Sequence, residues 1–278
     1  MRAILSGIYL ENGYAGVQTG VVAGGDALLV IDAPLRSDDA REWLAELNEV
    51  GSPRYLAVLD HHPDRVLGSR NLDVPRVAQN ETAEYVSRMP DAYKGSANPV
   101  GSDADRIKRV TGMSKIVPDL TFDAELTLHL DGQSVVFWHR PGPTRGSMWV
   151  VLEDRSTVFI GDTVTVGEPP YLGFADVDAW LASLDELRDS GLSDFKYVTG
   201  RDGLVDRDAI NDMARFLRKI PVRLERLQGE SDIASTLDSI ADELVEDFRV
   251  VQARKDLCRL RLKAGMERLF KRDHPAEA

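Results

Sequence analysis

Residues 59–68 read Leu-Asp-His-His-Pro-Asp-Arg-Val-Leu-Gly, and the fold turns on how they are read. They close the apolar run Arg-Tyr-Leu-Ala-Val-Leu-Asp of residues 54–60, which has the length and composition of a short strand. Two imidazoles, two carboxylates and a guanidinium therefore stand at a strand's C-terminal end, where ligands in α/β folds commonly sit. Upstream, residues 37–51 offer Ser37 as an N-cap, acids in the first turn, apolar Trp43, Leu44 and Leu47 at helical spacing and a terminal Gly51, which predicts a helix. Further upstream, residues 15–32 hold two apolar β-branched runs around Gly24-Gly25-Asp26, the composition of a hairpin.

Downstream, residues 80–118 are broken by Pro90, Gly95, Pro99, Gly101 and Pro118, which predicts a short helix and an extended surface insertion able to act as a lid. Four strand-like runs follow at 121–130, 133–140, 147–153 and 156–162, then a helix over 176–191 and a short strand at 196–200. The expected architecture is two sheets face to face with helices outside, covering residues 1–204. From about residue 205 only helical periodicity remains, in three segments at 206–228, 231–247 and 250–271, so residues 205–278 are expected to form a helical extension. It is expected to pack on the domain, as a cover over the cleft, or to form a homodimer interface. The last segment is basic beside an acidic remainder, and its basic face is read as solvated rather than as a nucleic-acid or membrane surface.

Composition narrows the function. A net charge of −12 disfavours nucleic acid, which needs clustered Lys and Arg to displace counterions. One cysteine, Cys258, excludes an intrachain disulfide and a cysteine-based zinc cluster and fits a reducing cytoplasm. Neither a signal peptide nor a run of about 18 apolar residues is evident, so neither export nor a membrane partner is expected. The glycines of residues 21–29 lie between two strands and are not a dinucleotide loop, and neither Ser69 nor Ser147 sits in a nucleophile turn of the Gly-x-Ser-x-Gly type.

In this order and spacing the chain resembles the metallo-β-lactamase superfamily, whose fold is a four-layer αββα sandwich. Residues 21–34 look like its opening hairpin ending in an aspartate, here Asp32. Residues 59–70 look like the segment carrying its His-x-His-x-Asp-His motif, 141–152 like its Gly-His-Thr-x-Gly-Ser turn, 156–164 like its Gly-Asp segment and 197–205 like its final Gly-His-Gly loop. The resemblance implies a hydrolase whose seven ligands hold two zinc ions and activate water against an ester, thioester, amide, lactone or phosphate ester. Carried over position by position, His62, Asp64 and Asp162 retain ligands, whereas Asp60, Arg65, Pro143 and Arg201 stand where histidines are expected.

Those four replacements carry the functional expectation. Proline has no donor atom on its side chain, and an arginine that cannot lose its proton presents only hydrogen-bond donors where a metal needs a lone pair. Arg65 and Arg201 instead suit Asp60, Asp64 and Asp162, whose charges together in a cleft demand compensation. The expected protein is therefore a pseudoenzyme with no metal cofactor, or a binder of a small anionic ligand through Arg65, Arg145 and Arg201. The alternative is a mononuclear hydrolase of a small ester, thioester or lactone holding one Zn, Mn or Fe ion on Asp60, His62 and Asp162, with Asp64 nearby. His61, at a variable position of the motif, is assigned a packing role. His129, His139 and His274 are assigned no chemistry, His139 standing four residues and roughly 13 Å of extended chain from Pro143.

Overall fold

The computed structural model describes residues 1–93, 100–106, 113–189 and 191–274. The chain opens with β1 (Arg2–Leu5), β2 (Ile8–Glu11), β3 (Thr19–Gly24) and β4 (Ala27–Ile31), then α1 (Ser37–Val50), β5 (Ser52–Ala57), the single-turn α2 (Pro63–Val66), β6 (Arg76–Gln79) and α3 (Asn80–Arg88). A short pair, β7 (Ala92–Tyr93) and β8 (Met113–Ser114), precedes β9 (Leu120–Phe122). Then come β10 (Glu125–Leu130), β11 (Gln133–His139), β12 (Met148–Leu152), β13 (Thr157–Gly161), α4 (Val177–Asp189), β14 (Lys196–Thr199) and β15 (Leu204–Val205). Three helices follow: α5 (Arg207–Glu225), α6 (Ile233–Val245) and α7 (Lys255–Asp273).

Two mixed sheets carry the fold. One runs β1-β2-β3-β4-β5-β6-β9, antiparallel up to β4 and parallel beyond it; the other runs β10-β11-β12-β13-β14-β15, with β13 and β14 parallel. The uninterrupted apolar runs of β4 and β12 follow from burial on both faces, and period-two alternation sorts their side chains. In β4, Leu29 and Ile31 join the core between the sheets while Leu28 and Val30 face Trp43 and Leu47 of α1. In β12, Met148, Val150 and Leu152 point into the same central core, and Trp149 and Val151 join the outer helices. This is the expected αββα sandwich.

The C-terminal helices share a core with the sandwich. Leu217 and Ile220 of α5, Leu237 and Leu244 of α6 and Leu262, Met266 and Phe270 of α7 belong to one buried cluster with Trp149, Val151, Trp180 and Leu184. The basic face of α7 is matched by acids of α6, with Arg259 on Asp242 and Lys263 on Asp238. Among the described residues no helix is long and apolar enough to cross a membrane.

Four details depart from the sequence reading, the first being that residues 121–130, read as one strand, divide between β9 in the first sheet and β10 in the second. Ser37 is the first residue of α1 rather than its cap, because its hydroxyl turns to Asn71 Oδ1 and Arg36 holds the cap position without a side-chain bond. β1 and β2 were not expected, and they form a hairpin whose turn relies on Gly7 at φ 72°. Of the 80–118 insertion, α3, β7, β8 and the turn Asp103–Arg106 are seen, and residues 94–99 and 107–112 lie outside the described residues.

Candidate functional site

The site forms where strands of both sheets end. Asp32 follows β4, the Asp60–Arg65 turn follows β5, Asp162 follows β13, and Gly200 and Arg201 follow β14. The turn is set by its own polar groups. Asp60 Oδ1 accepts the backbone N–H of His62 at 2.9 Å, and Pro63 begins the single turn that projects Arg65 inward. Asp32 adopts a left-handed backbone at φ 54°, and its Oδ1 accepts the Leu59 N–H at 3.1 Å, tying the two strand ends together.

Arg65 is the centre of the arrangement. Its side chain is wholly buried and every nitrogen meets a carboxylate: Nε donates to Asp32 Oδ2 at 2.7 Å, Nη1 to Asp60 at 3.1 and 3.2 Å and to Asp162 Oδ2 at 3.0 Å, and Nη2 to Asp162 Oδ1 at 2.6 Å. Arg201 covers the outer side. Its Nε and Nη2 donate to Asp162 at 3.1–3.2 Å, and Nη1 donates to the Gly16 carbonyl at 2.9 Å. His62 Nδ1 lies 3.0 Å from Asp60 Oδ2 and 3.3 Å from Asp162 Oδ2. Three aspartates are thus enclosed by two guanidinium groups and an imidazole.

Asp60, Asp162 and His62 hold one another in their ionised forms, whereas burial outweighs Arg65 at Asp32 and pushes its carboxyl up to about 6. Burial would raise the carboxyls of Asp60 and Asp162, but the neighbouring cations more than reverse this and hold both below the usual range. Burial would likewise lower His62, yet the Asp60 charge and its bonds to Asp162 and Asp60 hold it up at about 9. A histidine with a folded pKa near 9 against 6.5 contributes stability that is complete below pH 6.5 and is lost as pH rises through 9, about 3 kcal/mol at most. The melting temperature is therefore expected to fall between pH 7 and pH 10, and His62→Gln should flatten that fall in a thermal titration.

A close approach of backbone completes the site. A Cβ on Gly200 would run into Nη2 of Arg65 and come within 3.0 Å of Asp162 Oδ1. A flexible side chain would move aside at little cost, but this guanidinium is fixed by three carboxylates. Gly200→Ala is expected to lower stability by about 1–3 kcal/mol, measured by chemical denaturation.

The other sequence candidates separate. Asp64 turns from the centre: its Oδ1 accepts the Ala104 N–H at 2.7 Å, and its Oδ2 meets Asp103 N and Arg201 Nη1 at 3.4 Å. Pro143 is buried in the turn between β11 and β12 and takes no part in the centre's hydrogen bonds or ion pairs. His139 Nε2 meets the Arg145 carbonyl at 2.7 Å. The three arginines expected to share an anion pocket do not form one: Arg65 and Arg201 are directed onto carboxylates, and Arg145 is exposed on the wall of a neighbouring cavity that neither of them lines.

Sequence reasoning overlooked two contributions. Asp32 belongs to the network, and the signal was there in a lone carboxylate ending a fully apolar strand. A second ion cluster abuts the first, with Arg254 bridging Asp103 and Glu168, and Arg261 donating to Glu168 at 3.1 Å and the Gly101 carbonyl at 2.8 Å. It ties the start of α7 and its preceding turn to the loops that support Asp64.

The family's two-zinc ligand set does not fit these residues, since cations or a proline occupy three of the positions where the resemblance places histidines. A single ion is a separate matter, because Asp60, His62 and Asp162 each offer a ligand atom within 4.8 Å of the others. Two of those side chains are gripped by Arg65 Nη1, which donates to Asp60 and Asp162 together. The donor set suits a metal; its present neighbours oppose one.

Comparison with known proteins agrees on the fold. A metallo-β-lactamase family protein from Thermus thermophilus superposes with a TM-score of 0.68 at 19% identity, covering 99% of this chain and 96% of that one. A metallo-β-lactamase from Pontibacter korlensis gives 0.63 at 18%, covering 78% and 97%. An inverting sec-alkylsulfatase from Pseudomonas sp. gives 0.67 at 18%, with this chain covered to 96% but spanning only 49% of that protein. No curated protein matches significantly. The profile of the metallo-β-lactamase superfamily matches residues 13–194, well over half of the 278, and with two mixed sheets between helices the chain belongs to that superfamily.

Proposed function

We propose that this protein does not carry out two-zinc hydrolysis and that its former metal centre is an internal ion cluster, which makes it a pseudoenzyme on a hydrolase fold. The observation that carries this reading is Arg65 Nη1, donating at once to Asp60 and to Asp162. A guanidinium there neutralises the carboxylates as a cation would, but it offers no open coordination position and cannot polarise water as a Lewis acid does. Arg201 extends the same neutralisation to the outer side of Asp162.

A second reading is favoured by the spacing of Asp60, His62 and Asp162: one divalent ion of the Zn, Mn or Fe type serving hydrolysis of a small ester, thioester or lactone. When bound, such an ion would lower the pKa of a water held beside it. It would require Arg65 to release two carboxylates and His62 to give up its proton. A panel of esters, thioesters and lactones assayed with added Zn, Mn and Fe(II) separates the two. Silence across the panel is expected; turnover that disappears in His62→Ala establishes the second reading.

A further inference from the structure

Beside the ion cluster, on the side of His61, lies a cavity of about 810 Å³, a volume ordinary for a small-molecule site. Its apolar wall is built by Phe174, Val177, Ile220, Pro221, Leu224 and Leu269, from the α4 approach, α5 and α7. His61 reaches it from the motif. The ring is only 4% exposed, is stacked on Tyr85 at 3.9 Å between centroids and meets the edge of Phe174 at 4.7 Å. Among the described residues neither of its ring nitrogens has a partner. A buried polar atom left so costs about 1–3 kcal/mol, which is the mark of a group awaiting a ligand or water.

The charge of the rim selects the ligand. Glu84 is paired with Arg88, and Asp273 with Arg272. Glu81, Asp176 and Asp178 then outnumber Arg145 on the rim and Arg268 over the Phe174 ring, so the cavity mouth is net negative, as is the chain as a whole. Glu81, Asp176 and Asp178 are all exposed, and Asp176 has one oxygen engaged in capping Ala179 N. Aromatic faces beside acids favour cations, and Arg268 already sits 4.4 Å above the Phe174 ring. An imidazole also supplies one acceptor nitrogen that an N–H donor would satisfy.

We infer that this cavity is a binding site for a small organic ammonium with an apolar body, its charged head between the acidic rim and His61 and its body against α5 and α7. The inference goes beyond the reading of the ion cluster and does not depend on it, since neither Arg65 nor the metal-competent carboxylates line the cavity.

The test uses the intact chain and matched probes: hexylamine and phenethylamine against hexanol, 2-phenylethanol, hexanoate and 3-phenylpropanoate, read by thermal shift and calorimetric titration. The amines should bind saturably at millimolar concentration and the carboxylates should not. Glu81→Gln with Asp178→Asn, both exposed and outside the core, should weaken amine binding by about tenfold while leaving the melting temperature near that of the unaltered protein. Absence of amine binding, equal binding of alcohols or carboxylates, or unchanged amine affinity in the double variant overturns the assignment.

Discussion

Arg65→Met is expected to melt roughly 10 °C below the unaltered protein, a loss of about 3–5 kcal/mol. The side chain is wholly buried and, among the described residues, is the one group touching Asp32, Asp60 and Asp162 together. Methionine fills much of the volume, so the loss reports three carboxylates stranded out of water rather than a cavity. Arg201→Ala should cost less, about 1–3 kcal/mol, because Arg201 is 18% exposed and water can partly replace it. Adding Asp60→Asn and Asp162→Asn to Arg65→Met should recover part of the loss, since neutral amides tolerate the absence of a cation. A melting temperature for Arg65→Met within a degree or two of the unaltered protein would remove the structural role assigned to the cluster.

The second large effect concerns the C-terminal helices. A chain ending at residue 204 is expected to lack a cooperative thermal transition and a dispersed amide spectrum. Truncation uncovers Trp149, Val151, Trp180 and Leu184 and removes at least seven fully buried apolar partners, among them Leu217, Ile220, Leu262, Met266 and Phe270. At about 1.5–3 kcal/mol for each such side chain, the loss reaches the whole stability of an ordinary domain. It also removes Arg254 and Arg261 from Asp103 and Glu168, leaving those acids without their cations. A soluble, cooperatively folding 1–204 fragment would show instead that the helices are an accessory.

Much of this arrangement was legible in the sequence, for identifiable reasons. The β3–β4 hairpin, α1 and β10–β13 declare themselves by apolar periodicity with Gly and Asp at the turns. β1 and β2 do not, because runs of four residues on either side of Gly7 carry too little pattern to distinguish from loop. Within the site, the pairing of Arg65 and Arg201 with Asp60 and Asp162 could be argued from motif spacing and charge count alone. The gripping of Asp32 by Arg65 Nε could not, since nothing in sequence says which way a strand-end carboxylate turns. Nor could the link from Arg254 to Asp103, which joins residues 151 apart in sequence. Asp64 shows the limit from the other side: it keeps the residue type of a ligand yet turns to the backbone of Ala104. Arg145 was grouped with the other arginines by charge, and only packing reveals that it faces a different cavity.

The role proposed for the Arg65 guanidinium is to neutralise Asp60 and Asp162 in place of a metal ion. It is tested most directly by the metal content of protein purified without chelators, then dialysed against Zn, Mn and Fe(II) and desalted. Far less than one ion per chain is predicted for each metal. One tightly held equivalent per chain, lost on His62→Ala, would contradict it.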